Sequence, residues 1–268
     1  MKRIQLFEIE DFEWLPSSIR NSVTNLIMVL MKMMNTKEVL GKLILQARNK
    51  HSFNRIVDLG SGSGGAMPET VKFLNATCTE KPLDLLLTDL YPNPTIVRRF
   101  NEKKDNVSYS ETPVDAVSLT QSPKGLKTMI NSFHHMPPDK AKKILRSASE
   151  SKQPLLIFEL AENKMPLIIW WMLLPVSLCV LVIMSLFMTP FVRPLTWQQI
   201  IFTYLIPIVP LSYAWDGQAS YPRTYSYNDV HAMLEDIPDS DYCWEVGPGK
   251  KQNGKHSGYY ILGYPKGI

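Results

Sequence analysis

From residue 54 onward, short apolar runs alternate with amphipathic stretches. "RIVDLG" is followed by "AMPETVKFLNA" and "LDLLLTDL" by "NPTIVRRFNE"; "NVSYSE" and "LKTMINSF" then lead to "PDKAKKILRSA" and "PLLIFELAE". Strand-sized apolar runs separated by helix-period segments predict βαβ units and a parallel sheet. The chain closes with the helix-patterned "YSYNDVHAMLED" and the strand-like "DYCWEVG" and "GYYILGY". The polar, turn-rich "PGKKQNGKHS" between the last two predicts a terminal hairpin on the sheet. Before residue 50, "SSIRNSVTNLIMVLMKMMNTKEVLGKLILQARNK" carries apolar residues at helical spacing, behind Pro16 and with Ser17 or Ser18 as the N-cap. Its methionines, Met28, Met31, Met33 and Met34, read as packing surface.

One stretch breaks the alternation. Between Lys164 and Asp216 the only charged residue is Arg193. "MPLIIWWMLLPVSLCVLVIMSLFMTPFV" is an uncharged run of 28 residues, more than the roughly 20 that cross a bilayer. "LTWQQIIFTYLIPIVPLSYAW" follows and is nearly as apolar, with "TPFVRPL" as the turn between the two. The sheet is unfinished at residue 164, so the insert has to leave and return on the same side of any membrane. That requires an even number of crossings or a re-entrant hairpin. Pro175, Pro207 and Pro210 fit a shallow, kinked insertion at least as well as straight crossing helices. The alternative is a buried helical pair serving as a lid or a dimer contact. The expectation is a membrane-associated protein with its catalytic core facing the cytoplasm.

Composition narrows the class. The 268 residues are 45% hydrophobic and 20% charged, as in a globular chain with a sizeable core. The net charge of +4 is mild and no basic block interleaves with aromatics, so nucleic acid is not indicated as a ligand. Cys78, Cys179 and Cys243 are odd in number and far apart. They predict neither a disulfide framework nor a metal site, and fit a reducing compartment. The N-terminal "MKRIQLFEIEDFEWLP" lacks the apolar core of a secretory signal.

The chemistry concentrates at "RIVDLGSGSGG". Gly60, Gly62, Gly64 and Gly65 satisfy both G-x-G-x-G and G-x-G-x-x-G. Glycines let the backbone approach a ligand, and the following helix N-terminus supplies N–H groups. Asp58, two residues before the first glycine, argues against a pyrophosphate, which it would repel, and for a ligand with a cationic amino acid part. Asp89 ends the second strand, where a carboxylate can accept hydrogen bonds from both ribose hydroxyls. Asp115 follows the third strand, within reach of an adenine amino group. "VDLGSGSGG", "LLLTDLYP", "ETPVDAVSL" and "INSFHHMPPDKAKKIL" together resemble the successive motifs of the class I S-adenosylmethionine-dependent methyltransferases, over about residues 53–160 plus the closing helix and hairpin.

That resemblance implies an α/β fold: a Rossmann-like methyltransferase sheet with helices on both faces, an N-terminal helical cap and an apolar helical hairpin insert. The expected boundaries are a cap at 1–50, a cofactor-binding core at 51–164, the insert at 165–215, and an acceptor loop with the rest of the sheet at 216–268. By resemblance the cofactor is S-adenosyl-L-methionine and no metal takes part. Asp58 and the turn Gly60, Ser61, Gly62 and Gly64 would hold its methionine part, Asp89 its ribose and Leu90 a face of the adenine. Asp115 and Ala116 would meet the adenine edge, and Asn131 would line the pocket. For Asp115 the competing reading is a loop-capping aspartate. The reaction is in-line attack on a sulfonium methyl, for which the protein mainly aligns donor and acceptor.

On the acceptor side, His134 and His135 follow the fourth strand and offer a base, or else a scaffold turn. "YAWDGQASYPRTYSYNDV" crowds Tyr213, Asp216, Arg223, Tyr225 and Tyr227 together. Asp216 is a candidate base or amine ligand, Arg223 a candidate carboxylate or phosphate ligand, and Tyr225 a candidate catalytic residue beside them. The competing reading pairs Asp216 with Arg223 on a surface loop. Glu159 and Glu162 end the fifth strand and point to the same pocket, and Trp14 with Arg20 offers a lid or plain helix packing. The acceptor expected is small, lipophilic or lipid-linked. Two other functions stay open: a non-catalytic cofactor-binding protein anchored by its hairpin, and a nicotinamide-dependent oxidoreductase. Against the last stand Asp58 and the lack of a Tyr-x-x-x-Lys pair.

Overall fold

A computed structural model describes residues 3–77, 81–103, 105–237 and 241–266. Cys78, one of the cysteines counted above, lies outside them. In chain order the main elements are α1 (Ser17–Met33), α2 (Thr36–Lys50), β1 (Arg55–Leu59), α3 (Met67–Thr77), β2 (Asp84–Thr88), α4 (Pro94–Asn101), β3 (Val107–Tyr109), β4 (Leu126–Ile130), α5 (Pro138–Glu150) and β5 (Leu155–Glu159). Then come α6 (Leu167–Met188), α7 (Trp197–Ile200) with a π-turn (Ile201–Leu205), α8 (Ile208–Arg223), α9 (Tyr227–Glu235), β6 (Tyr242–Lys250) and β7 (His256–Pro265). The chain divides into two compact units, Met1–Met34 with Ala161–Ser226, and Asn35–Leu160 with Tyr227–Ile268.

The second unit is the sheet domain. Its seven strands run in the order β3-β2-β1-β4-β5-β7-β6. The first five are parallel, and β7 is antiparallel to both β5 and β6. Strands buried on both faces need apolar residues at every position. β5, "LLIFE", is buried at all five positions, and α2 with α3 and α5 with α9 cover the sheet. After β3 the chain crosses back to pair β4 with β1, which makes the β1–β4 gap the switch point where ligands bind in open α/β sheets. The α/β sheet and terminal hairpin expected from the pattern are both present.

The first unit contains the insert, and it takes in α1 as well. The expected cap at 1–50 is therefore not one piece. Asn35 adopts a left-handed conformation, φ 54°, that ends one helix and starts the next. Asparagine tolerates that conformation better than most side chains. Leu15, Ile19, Val23, Leu26 and Val29 from α1 and its lead-in pack with Met188, Val192, Val209 and Tyr213 in one buried cluster. Met31 is buried in this unit, whereas Met33 is 67% exposed, so the methionine stripe is only partly packing surface. The expected acceptor loop after residue 215 is helical instead, because α8 continues to Arg223. Its buried positions include Val209, Ser212, Tyr213, Asp216, Ala219 and Arg223, a helical repeat that the density of Tyr, Asp and Gly disguises in the sequence.

Candidate cofactor and active site

The glycine turn lies at the carboxyl end of β1. Gly60, Gly62, Gly64 and Gly65 all have positive φ. A Cβ built on Gly60, Gly62 or Gly65 would meet nothing within 4 Å, so the turn is open in front. Behind it the fit is closed, since a Cβ on Gly64 would come 2.5 Å from the Phe100 ring. This is a cradle whose backbone is bare on the ligand side and braced on the other.

Three side chains hold the cradle. Asp89 Oδ2 accepts from Gly62 N–H at 3.0 Å, and Oδ1 accepts from Tyr91 N–H at 2.9 Å. The Tyr109 hydroxyl, at the end of β3, donates to the Gly62 carbonyl at 2.9 Å. The Gly62 peptide is thus fixed from both ends. Burial and the nearby Asp89 carboxylate raise the Tyr109 pKa, so this hydroxyl stays protonated and able to donate. Arg99 donates to the Ser63 carbonyl at 2.7 Å. No motif announced Tyr109 or Arg99, because each acts on a backbone oxygen distant in sequence.

Asp58 is buried at the switch point. Its Oδ1 accepts from Thr128 Oγ1 and its Oδ2 from Ser61 Oγ, both at 2.6 Å. Thr128 is its register partner on β4, which explains that bond. Burial pushes the Asp58 carboxyl up to about 6, against the two hydroxyl donors that favour its charged form. The Ser61 N–H also donates to the Thr88 carbonyl, and the Thr88 N–H donates to Ser61 Oγ, tying the turn to β2. Asp58 and Ser61 therefore build the cradle from behind.

Leu90 is 42% exposed at the rim after β2. Asp115, exposed, accepts from the backbone N–H of Val117 at 3.0 Å, the loop-capping contact weighed above, and Ala116 beside it is half-buried. Asn131 ends β4 in a left-handed conformation, φ 51°, and its Oδ1 accepts from Leu160 N–H at 2.7 Å, closing the gap between the ends of β4 and β5.

His134 is buried beside that junction. Its Nδ1 lies 2.7 Å from Glu159 Oε2, while Oε1 accepts from the backbone N–H groups of Phe133 and His134 at 2.8 and 3.1 Å. The Glu159 carboxylate thus holds the ring at Nδ1 while the two backbone N–H groups hold the carboxylate. The His135 ring lies against that of His134, tilted by 34° with centroids 4.3 Å apart. Asp58, Asp89, Asn131 and the His134–Glu159 pair thus share the carboxyl edge of the sheet.

Asp216, Arg223 and Tyr225 belong to the other unit. The competing Asp216–Arg223 pairing on a surface loop is replaced by other partners, because Asp216 and Arg223 each bind the N-terminal segment. Asp216 accepts from Ile9 N–H at 2.6 Å and Glu10 N–H at 3.2 Å. Burial, with Glu10 and Asp11 adding to it against those two bonds, pushes its carboxyl up to about 7. Arg223, 1% exposed, sits 2.6 Å from Asp11 Oδ2 and 3.3 Å from the buried Glu8. Tyr225 is buried under the Arg3 guanidinium. Trp215 stacks on Phe7, centroids 4.9 Å apart, so residues 3–12 are strapped along α8. Arg20 donates to the carbonyls of Glu10 and Phe12, exposed Trp14 stacks on Phe12, and Glu162 pairs with Lys164.

No sequence-family model matches the chain, and no curated protein matches it in sequence. Solved structures do. The plantazolicin methyltransferase BpumL, in complex with SAH, superposes with a TM-score of 0.57 at 11% identity, covering 92% of this chain and 90% of its own. NcsB1, an O-methyltransferase from neocarzinostatin biosynthesis, solved with S-adenosylmethionine and 2-hydroxy-5-methyl naphthoic acid, gives 0.50 at 11% identity over 93% of this chain and 58% of its own. With the strand order, the open glycine turn and the acids that end β1 and β2, these likenesses give the chain the fold of the class I S-adenosylmethionine-dependent methyltransferases.

Proposed function

We propose that the protein is an S-adenosylmethionine-dependent methyltransferase acting on a small lipophilic or lipid-linked acceptor at a membrane surface. The observation that carries the cofactor assignment is the Gly62 peptide held between Asp89 and Tyr109 in a turn open in front of Gly60, Gly62 and Gly65. S-adenosylmethionine, when bound, supplies a methyl group already activated on a sulfonium. The chain's own residues do the rest. Gly60, Gly62 and Gly64 present backbone to the methionine part, and Asp58 sets their conformation and places negative charge behind it. Asp89 turns its carboxylate to the ribose hydroxyls, and Leu90, Asp115 and Ala116 border the adenine. Asn131 fixes the end of β4.

An acceptor that arrives protonated needs a base. His134 takes that role through Nε2, with Glu159 holding the ring and stabilising the imidazolium that forms, and His135 packs the ring in place. Asp216, Arg223 and Tyr225 serve by holding the N-terminal segment.

The lipophilic acceptor is argued from the insert. Leu167–Phe191 is a helical stretch of 25 residues that contains an 18-residue window of mean hydropathy 2.6, long and apolar enough to cross a membrane, and only 11% of that window is buried. A cytoplasm-facing sheet domain fits its lysines and its free Cys243 on β6. The test is labelled-methyl transfer from S-adenosylmethionine into a membrane lipid extract. Label should appear in an extractable product with the wild type and fall by at least tenfold with His134→Ala. A wild type that binds S-adenosylhomocysteine yet labels nothing in the extract or in the aqueous metabolites would overturn the assignment as an enzyme.

A further inference from the structure

We propose that the insert docks in one leaflet of an anionic phospholipid bilayer with α6 lying parallel to the membrane plane, and does not cross it. This rests on the membrane reading above and specifies its geometry. Ile169, Met172, Val176, Val180, Ile183 and Phe187 recur at intervals of three or four residues, and each is at least 43% exposed. Eighteen residues are five helical turns, so these side chains form one straight apolar stripe about 27 Å long. The opposite face is taken: Trp170, Leu174, Ser185 and Met188 are buried, and α6 packs along α8.

What lies beside α6 decides against crossing. Leu181, past the middle of α6, is 3.4 Å from where a Cβ on Gly217 would stand, and the backbone N–H of Met165 donates to the Tyr221 hydroxyl. The half of α8 that runs from Asp216 to Arg223 therefore lies beside the part of the chain between Met165 and Leu181. That half carries Asp216 and the ion pairs of Arg223 with Glu8 and Asp11. A crossing α6 would draw this charged strap into hydrocarbon, where each ionised group costs roughly 2.5–3.5 kcal/mol or more. Immersing the stripe alone leaves the strap on the water side. Topology agrees. β5 precedes the insert and β7 follows it in one sheet, so crossings have to be even in number. Among the described residues one helix is long and apolar enough to cross by itself; the return path, Trp197–Leu205 with Ile208–Arg223, reaches that length only as a pair bent by 81°, the shape of a re-entrant loop or a broken span. Exposed Lys164 and Arg193 bracket the stripe and suit anionic headgroups.

The test is a depth profile on the full-length protein. Cys78, Cys179 and Cys243 are replaced by serine, and single nitroxide labels are placed at Ile169→Cys, Val176→Cys, Ile183→Cys and Phe187→Cys, all exposed. A fifth sample keeps native Cys179 as its only label site. The protein is added to vesicles of phosphatidylcholine with phosphatidylglycerol, and depth is read from collision with oxygen against an aqueous nickel chelate. All positions should report one shallow depth, within about 5 Å, one helical pitch. Depth that climbs steadily along the helix through the midplane overturns the in-plane geometry and leaves membrane binding intact. Failure to float with the vesicles overturns both, and spin–spin broadening without lipid identifies a second copy as the occupant instead.

Discussion

At the scale of single residues, the cradle is a set of hydrogen bonds that can be removed one at a time. Tyr109→Phe deletes only the hydroxyl that holds the Gly62 carbonyl. We predict that it weakens S-adenosylhomocysteine binding by about 1 kcal/mol, roughly fivefold, with little change in unfolding midpoint. Calorimetry and thermal melts read the two separately. Asp58 makes a pH prediction. Its folded pKa, about 6, is raised above the 3.8 of an ordinary aspartate. Below pH 4 the group is protonated in both states. Between pH 4 and 6 the unfolded chain loses the proton while the folded chain keeps it, so this group's contribution to stability falls as pH rises and then levels off. Over that window Asp58→Asn should therefore gain roughly 2–3 kcal/mol relative to wild type, measured by urea denaturation at pH 4.5 and 7.5. Asp58, Asp89 and the glycines were legible because motif spacing encodes strand-end chemistry. Tyr109, Thr128 and Glu8 were not, because their partners are set by strand order and chain return, which no local pattern records.

At the scale of elements, the strands and their flanking helices follow from the alternation of apolar runs, since a doubly covered parallel sheet demands it. The pattern misleads in α8, where "YAWDGQASYPR" has the composition of a loop and the burial of a helix. What stabilises that helix is the N-terminal segment, which brings Glu8 and Asp11 to Arg223 and backbone amides to Asp216. Arg223→Ala removes the guanidinium that pairs with buried Glu8 and with Asp11. Removing one member of a buried ion pair costs roughly 3–5 kcal/mol. The expected result is a strap that a protease cuts within residues 3–12 far faster than in wild type, seen by N-terminal mass analysis of a time course. Equal cleavage rates would show that the ion pair does not hold the strap.

At the scale of the whole molecule, the insert is built into its unit. α1 packs on it through Val23, Leu26 and Val29, so excising residues 166–212 would strip α1 of its partners and expose its apolar face. Charging the stripe is the cleaner change. Met172→Glu with Val180→Glu should abolish flotation with anionic vesicles and leave S-adenosylhomocysteine affinity within about twofold of wild type, because both side chains are exposed. Composition made the apolar insert legible from residue 165 onward, but the place of α1 beside it depends on the left-handed Asn35, which the helical period runs straight through.

The central claim is that the glycine turn with Asp89 holds S-adenosylmethionine, and one titration tests it most directly. Calorimetry of the detergent-solubilised protein with S-adenosylhomocysteine should give saturable one-site binding. Asp89→Ala, which loses the ribose contact and the bond to Gly62 N–H, should weaken it by roughly 1.5–3 kcal/mol, about 10- to 150-fold. Absence of binding by the folded wild type, or an unchanged affinity in Asp89→Ala, would contradict the account.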